Sequence, residues 1–122
     1  MAKLLIVDDE VDVREFAANF FRKRKIEVTA VASGEEAVDL IEAQKPNLIL
    51  LDIKMAGIDG VETLRRIRQK DKHIKVIMVT GRKPEEGGAF EDCRKLGISG
   101  YIHKPLELDE LEKIVLKEIS QK

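Results

Sequence analysis

The sequence has little that could cross-link the chain or bind a soft metal. Among its 122 residues there is one cysteine, Cys93, so the chain cannot form an internal disulfide and offers no second thiolate for a metal site. A single cysteine on a helical stretch is typical of a small buried side chain, and we predict that role for it.

Long apolar runs and an excess of one charge are also missing. The longest apolar runs have four residues, whereas a helix needs roughly 20 to cross a bilayer. The N-terminal stretch turns acidic before a signal-peptide core could form. The short runs predict no membrane insertion. Because 22 Lys and Arg nearly balance 23 Asp and Glu, we also expect no direct nucleic-acid binding. A cytoplasmic protein is predicted.

Length and patterning indicate one α/β domain. The chain is long enough for one hydrophobic core and short for two, so we expect a single domain over residues 1–122 with no output domain. Apolar runs alternate with stretches of helical period, which indicates βαβ units. The runs 4–7, 48–51 and 76–79 are continuously apolar, as expected of parallel strands covered on both faces. The runs 26–30 and 98–102 are more polar and predict edge strands.

Five amphipathic helices are expected to cover this sheet. Helix two is predicted to begin after Ser33, with Glu36 completing a capping box. Gly97 predicts the end of helix four. The predicted core positions of the helices are Val13, Phe16, Ala17, Phe20, Phe21, Val61, Leu64, Ile67, Phe90, Cys93, Leu96, Leu108, Leu111, Val115 and Ile119.

Right-handed crossovers with strands two and five at the edges predict the order 2-1-3-4-5, a flavodoxin-like doubly wound parallel sheet. In such a sheet ligands bind beyond the carboxyl ends of the strands. The strand ends carry polar residues there, namely the run 8–10 after strand one, Asp52 after strand three, Thr80 after strand four and Lys104 after strand five. We therefore expect the functional site at this edge.

The carboxylates at this edge predict a cation site. Asp8, Asp9 and Asp52 would repel one another unless a cation lay among them. Oxygen ligands with space left for water favour Mg²⁺, with Mn²⁺ as a substitute, over Ca²⁺ or zinc. A carboxylate beside such a metal can attack a phosphoryl group. Lys104 and Thr80 could then hold the phosphoryl oxygens.

These residues resemble the receiver domains of two-component response regulators, of the stand-alone, chemotaxis-regulator-like kind. The resemblance covers essentially the whole chain and rests on four motifs in order, residues 7–10, 51–60, 79–81 and 101–105. It implies a signalling switch that is not a turnover enzyme, although it catalyses its own phosphoryl transfer and autodephosphorylation.

The resemblance also assigns roles to individual residues. It implies that Asp52 is the phosphoacceptor, that Asp9 and Asp52 bind Mg²⁺ directly, and that Asp8 binds it through water. The main-chain carbonyl of Lys54 is implied as a further metal ligand. Lys104 would pair with the phosphoryl group, and its bond to Pro105 would be cis.

A conformational switch made of Thr80 and Tyr101 is implied as well. A dianion on Asp52 could draw the Thr80 hydroxyl inward and leave space that Tyr101 fills. The surface of helix four, strand five and helix five would then change and bind a downstream protein. The implied phosphodonor is a sensor histidine kinase or a histidine phosphotransfer protein.

Two features depart from the family pattern. Ala56 stands where the family usually has proline, which removes no chemical group from the site. The segment 82–88 is about two residues longer than usual between Thr80 and Lys104, so helix four is expected to start late.

Other function classes remain as alternatives. An aspartyl phosphatase of similar topology needs its two strand-one aspartates separated by one residue, whereas Asp8 and Asp9 are adjacent. A nucleotide or flavin binder needs a glycine-rich turn after strand one, and this turn is acidic. The remaining alternative is a receiver-like interaction module that does not use phosphate.

Overall fold

The computed structural model describes residues 2–81, 89–105 and 107–120. Strands and helices alternate through these residues. They are β1 (Lys3–Val7), α1 (Val11–Arg22), β2 (Glu27–Val31), α2 (Gly34–Gln44), β3 (Leu48–Asp52), α3 (Gly60–Lys70), β4 (Lys75–Thr80), α4 (Ala89–Leu96), β5 (Gly100–His103) and α5 (Leu108–Ser120).

The strands form one parallel sheet in the order β2-β1-β3-β4-β5. This confirms the predicted fold class, with β2 and β5 at the edges. The register pairs Asp52 with Val79 and Thr80 with His103, so the carboxyl ends of β3, β4 and β5 lie side by side.

Alternate side chains of each strand enter two different cores, as the pleat of a strand requires. On β1, Leu5 and Val7 join the core under α2, α3 and α4, whereas Leu4 and Ile6 join the core under α1 and α5. Cys93 is fully buried in the first of these cores, as predicted. The double-sided cover holds the strand ends in fixed positions at one edge of the sheet.

Helix α1 packs differently from the prediction. The apolar stripe predicts Phe16 in the core, but its side chain is 52% exposed, and Ala18 is buried in its place. Successive residues of a helix are about 100° apart, so a face centred between Ala17, Ala18 and Phe21 leaves Phe16 on the far side. An apolar stripe broader than the buried face cannot show which of its members reach the core.

The predicted helix ends are largely confirmed. The Ser33 side chain accepts the Glu36 N–H at 3.2 Å, although the Glu36 carboxylate accepts a bond from the Ser33 hydroxyl rather than closing the full capping box. Gly97 ends α4 in the left-handed region at φ 96° and donates to the carbonyl of Cys93. The predictions for the segment 82–88 and the Phe90 side chain lie outside the residues described.

No described helix is both long enough and apolar enough to span a membrane.

Candidate functional site

Four polar residues meet at the carboxyl edge of the sheet because their strands are parallel. Asp8 follows β1, Asp52 and Thr80 end β3 and β4, and Lys104 follows β5. The first three are buried, with exposures of 4%, 3% and 0%. The site predicted from the strand ends is therefore assembled at the switch point of the sheet.

The ammonium of Lys104 lies among three carboxylates. Its Nζ is 3.2 Å from Asp52 Oδ2, 3.3 Å from Asp8 Oδ2 and 3.0 Å from Glu10 Oε1. One oxygen from each of these acids lies within 4.8 Å of the others. One positive charge thus faces three negative ones, which leaves a net charge of −2 for a further cation to balance.

The electrostatics of this cluster shift the pKa of Asp52 upward, to about 6. Burial is the main cause, and the charge of Asp8 adds to it, while Lys104 and a backbone hydrogen bond from Lys54 act in the opposite direction. For Lys104 burial lowers the pKa, but the hydrogen bond to Glu10 and the nearby aspartates outweigh it, so that the pKa is raised. Lys104 remains an ammonium throughout the physiological range.

The structure brings Glu10, rather than Asp9, into the acidic cluster. Glu10 follows the two aspartates directly, and its backbone N–H donates to Asp8 Oδ1 at 2.9 Å. Asp9 is exposed, and its Oδ2 accepts the backbone N–H of Ala56 at 3.1 Å. Sequence reasoning named the aspartates alone. The signal that could have indicated Glu10 is its place in the same acidic run at the end of β1.

The other predicted residues surround this cluster. The carbonyl of Thr80 accepts the Lys104 N–H at 2.7 Å, which ties the ends of β4 and β5 together. Tyr101 is half-buried, with its ring centroid 5.8 Å from that of His103. The Lys54 side chain is exposed. The bond between Lys104 and Pro105 is cis, as predicted.

A cavity of about 560 Å³ lies at the opposite, amino edge of the sheet, near Pro46, Asn47 and His73. None of the predicted site residues lines it. The chemistry of the carboxyl edge, rather than the size of this cavity, identifies the candidate site.

Comparison with known proteins shows which family the chain resembles. Residues 4–116 match the response regulator receiver domain. The chain is 34% identical to sporulation initiation phosphotransferase F of Bacillus subtilis over 94% of this chain and 91% of that protein. A CheY-like receiver domain protein from Methanospirillum hungatei superposes with a TM-score of 0.88 at 31% identity, over 97% of this chain and 94% of the other.

A response regulator of Thermotoga maritima, solved in complex with Mg²⁺ and BeF, superposes with a TM-score of 0.83 at 30% identity, covering 97% of this chain and 99% of that one. Receiver domains are signalling switches of two-component systems that are phosphorylated on an aspartate, and they bind Mg²⁺ at an acidic pocket. They interact with histidine kinases or phosphotransfer proteins and with downstream targets. The chain described here belongs to the response regulator receiver domain family.

Proposed function

We propose that this receiver domain accepts a phosphoryl group on Asp52 in a reaction that depends on Mg²⁺. The observation that carries the proposal is the position of the Asp52 carboxylate, which is buried at the centre of the carboxyl edge and bonded to the Lys104 ammonium at 3.2 Å. A buried carboxylate beside other acids and one ammonium is suited to accept a phosphoryl group when a metal cation balances the added negative charge.

The donor set fits Mg²⁺. Carboxylates are hard oxygen ligands, and the oxygens of Asp8, Glu10 and Asp52 lie close enough together to share an ion. We propose that Asp8 and Asp52 of this group hold the ion together with Asp9 and the main-chain carbonyl of Lys54, which the resemblance to receiver domains implies as ligands, with Mn²⁺ as a substitute. When bound, it would supply positive charge beside the transferring phosphoryl group.

Asp52 and Lys104 have separate roles in the proposed transfer. An oxygen of Asp52 attacks phosphorus and forms the acyl phosphate bond, while the bond from phosphorus to the imidazole nitrogen of the donor histidine breaks and that nitrogen takes up a proton. The ammonium of Lys104, already at Asp52, pairs with the phosphoryl oxygens. In autodephosphorylation, water attacks phosphorus, the carboxylate of Asp52 leaves, and inorganic phosphate is released.

The placement of Thr80 supports the switch proposed from the sequence. It ends β4 beside Asp52, on the strand that pairs with both β3 and β5. We propose that the phosphoryl group draws its hydroxyl inward and that Tyr101 moves from its half-buried position into the vacated space. The surface of α4, β5 and α5 would then change shape for a downstream protein.

The phosphodonor is proposed to approach over α1. Val11 and Phe16 are 58% and 52% exposed, and a cavity of about 160 Å³ beside them is lined by Phe16, Val13, Lys104 and Pro105. This apolar surface lies next to the site, where a histidine kinase or phosphotransfer protein has to bring its phosphohistidine. Exposed aromatic side chains beside a reactive centre are typical of a protein contact.

Acetyl phosphate provides a direct test of the proposed chemistry. The protein and an Asp52→Asn variant are incubated with it, with Mg²⁺ or with EDTA, and their intact masses are measured. We expect the gain of one phosphoryl group in the wild type with Mg²⁺ and no gain in the variant. No gain by the wild type under any condition would instead favour the interaction module that does not use phosphate.

A further inference from the structure

A hydrogen bond joins two loops at the carboxyl edge of the sheet. The backbone N–H of Ala56, after β3, donates to Oδ2 of Asp9, after β1, at 3.1 Å across 47 residues of sequence. The bond needs a residue with a backbone N–H at position 56, so proline could not make it.

This bond coincides with an unexpected placement of Asp9. Among the described residues, the group of acids whose oxygens lie within 4.8 Å of one another contains Asp8, Glu10 and Asp52, and Asp9 is not a member of it. The Lys104 ammonium contacts the same three acids. Asp9 is therefore engaged with the β3–α3 loop, whereas the other three acids are grouped around Lys104.

We propose that the Ala56 N–H is a positioning group that holds Asp9 away from the metal site, and that Asp9 leaves this bond when a divalent cation binds. The inference rests on the proposed Mg²⁺ site and adds a chain-specific control of its affinity. The bond joins the loop that carries Asp9 to the loop that follows Asp52. Loss of the bond on cation binding would therefore also change how these two loops are connected.

The expected effect follows from competition between two partners for one carboxylate. In the proposed exchange the cation takes the place of the Ala56 N–H at the Asp9 carboxylate, and an exposed hydrogen bond of this kind is modest in strength. Removing the donor should raise Mg²⁺ affinity about threefold to tenfold. Among the described residues only Lys25 and Lys45 have positive φ outside glycine, so the backbone at position 56 is not in the left-handed region that proline forbids.

The experiment compares three proteins by isothermal titration with MgCl₂. Ala56→Pro removes the N–H, and Ala56→Ser is the matched control that keeps it. We expect about threefold to tenfold tighter binding for the proline variant and affinity within about twofold of wild type for the serine variant. In the wild type the solvent-exchange rate of the Ala56 amide, measured by NMR, should rise severalfold as Mg²⁺ saturates the protein.

The outcomes separate this inference from the function on which it rests. Wild-type binding with no gain in the proline variant, or an equal gain in both variants, overturns the positioning role and leaves the Mg²⁺ site intact. No Mg²⁺ binding by the wild type overturns the proposed metal site and the inference together. If the proline variant does not fold, the exchange rate of Ala56 decides, and an unchanged rate at saturation overturns the inference.

Discussion

Ionisation of the buried Asp52 carboxylate destabilises the folded state. Asp52 is 3% exposed and has its pKa raised from 3.8 to about 6 by burial and by Asp8. Between these two pH values the folded protein binds more protons at Asp52 than the unfolded chain does. Stability from this group is therefore greatest below about pH 4 and is lost as pH rises through about 6. The folded protein therefore keeps this cost at neutral pH, where in our proposal the ionised carboxylate reacts.

Replacing Asp52 by asparagine should remove this cost. In EDTA at pH 7.5 we expect the variant to be more stable than wild type by about 1 to 3 kcal/mol, and the advantage should shrink as pH falls toward 4. Urea unfolding at several pH values measures the stability difference and its dependence on pH. Asp39→Asn, at an exposed position on α2, is the control and should change stability by less than about 0.5 kcal/mol. An advantage that is independent of pH would contradict the electrostatic explanation.

Sequence reasoning identified the residue types of the site better than their arrangement. The ends of parallel strands must meet at one edge, so the order of the strands is enough to place Asp8, Asp52 and Lys104 together. The choice between Asp9 and Glu10 depends on loop hydrogen bonds, such as that of Ala56, and has no periodic signal in the sequence.

At the level of elements, α2 and α3 approach each other closely at a glycine. A Cβ on Gly34 would lie only 1.9 Å from Thr63 Oγ1 and 2.9 Å from Ile58 Cγ1, so the helices could not keep their present spacing. Thr63 is fully buried, and its hydroxyl donates to the Asp59 carbonyl at 2.7 Å. The contact therefore also fixes the start of α3, close to the loop that follows Asp52.

Gly34→Ala should accordingly destabilise the protein, although alanine is the better helix former. We expect a loss of about 1 to 3 kcal/mol from overpacking, measured by urea unfolding. Gly81→Ala is the matched control, since a Cβ there would have no atom of the described residues within 4 Å, and it should be close to neutral. Equal effects of the two substitutions would mean that the helix contact is not the cause.

The elements themselves were largely predictable, and the failure at Phe16 shows where prediction stops. Continuous apolar runs indicated the interior strands because both faces of a parallel sheet are covered. In α1 the apolar residues surround more of the helix than the sheet can bury, and the structure leaves Phe16 and Val11 exposed. Tertiary packing decides the exposure of these residues, and the apolar pattern alone does not show it. In our proposal they belong to the surface that contacts the phosphodonor.

At the scale of the whole molecule, the acids at the carboxyl edge of the sheet would link folding to the proposed cation binding. The folded state brings together the oxygens of Asp8, Glu10 and Asp52, whereas the unfolded chain keeps them apart. A cation that binds only the folded state stabilises it by mass action. Burial is the main cause of the raised pKa of Asp52, and the ion would relieve the repulsion from Asp8 that adds to it.

Mg²⁺ should therefore raise the free energy of unfolding by about 1.4 kcal/mol for each tenfold increase in concentration above its dissociation constant. Urea unfolding over a series of MgCl₂ concentrations measures this, with NaCl used to hold ionic strength constant because surface charges also respond to salt. Asp8→Asn should flatten the response, and Asp39→Asn should leave it unchanged. A response that NaCl reproduces at equal ionic strength would show that general screening, rather than a defined site among these carboxylates, stabilises the fold.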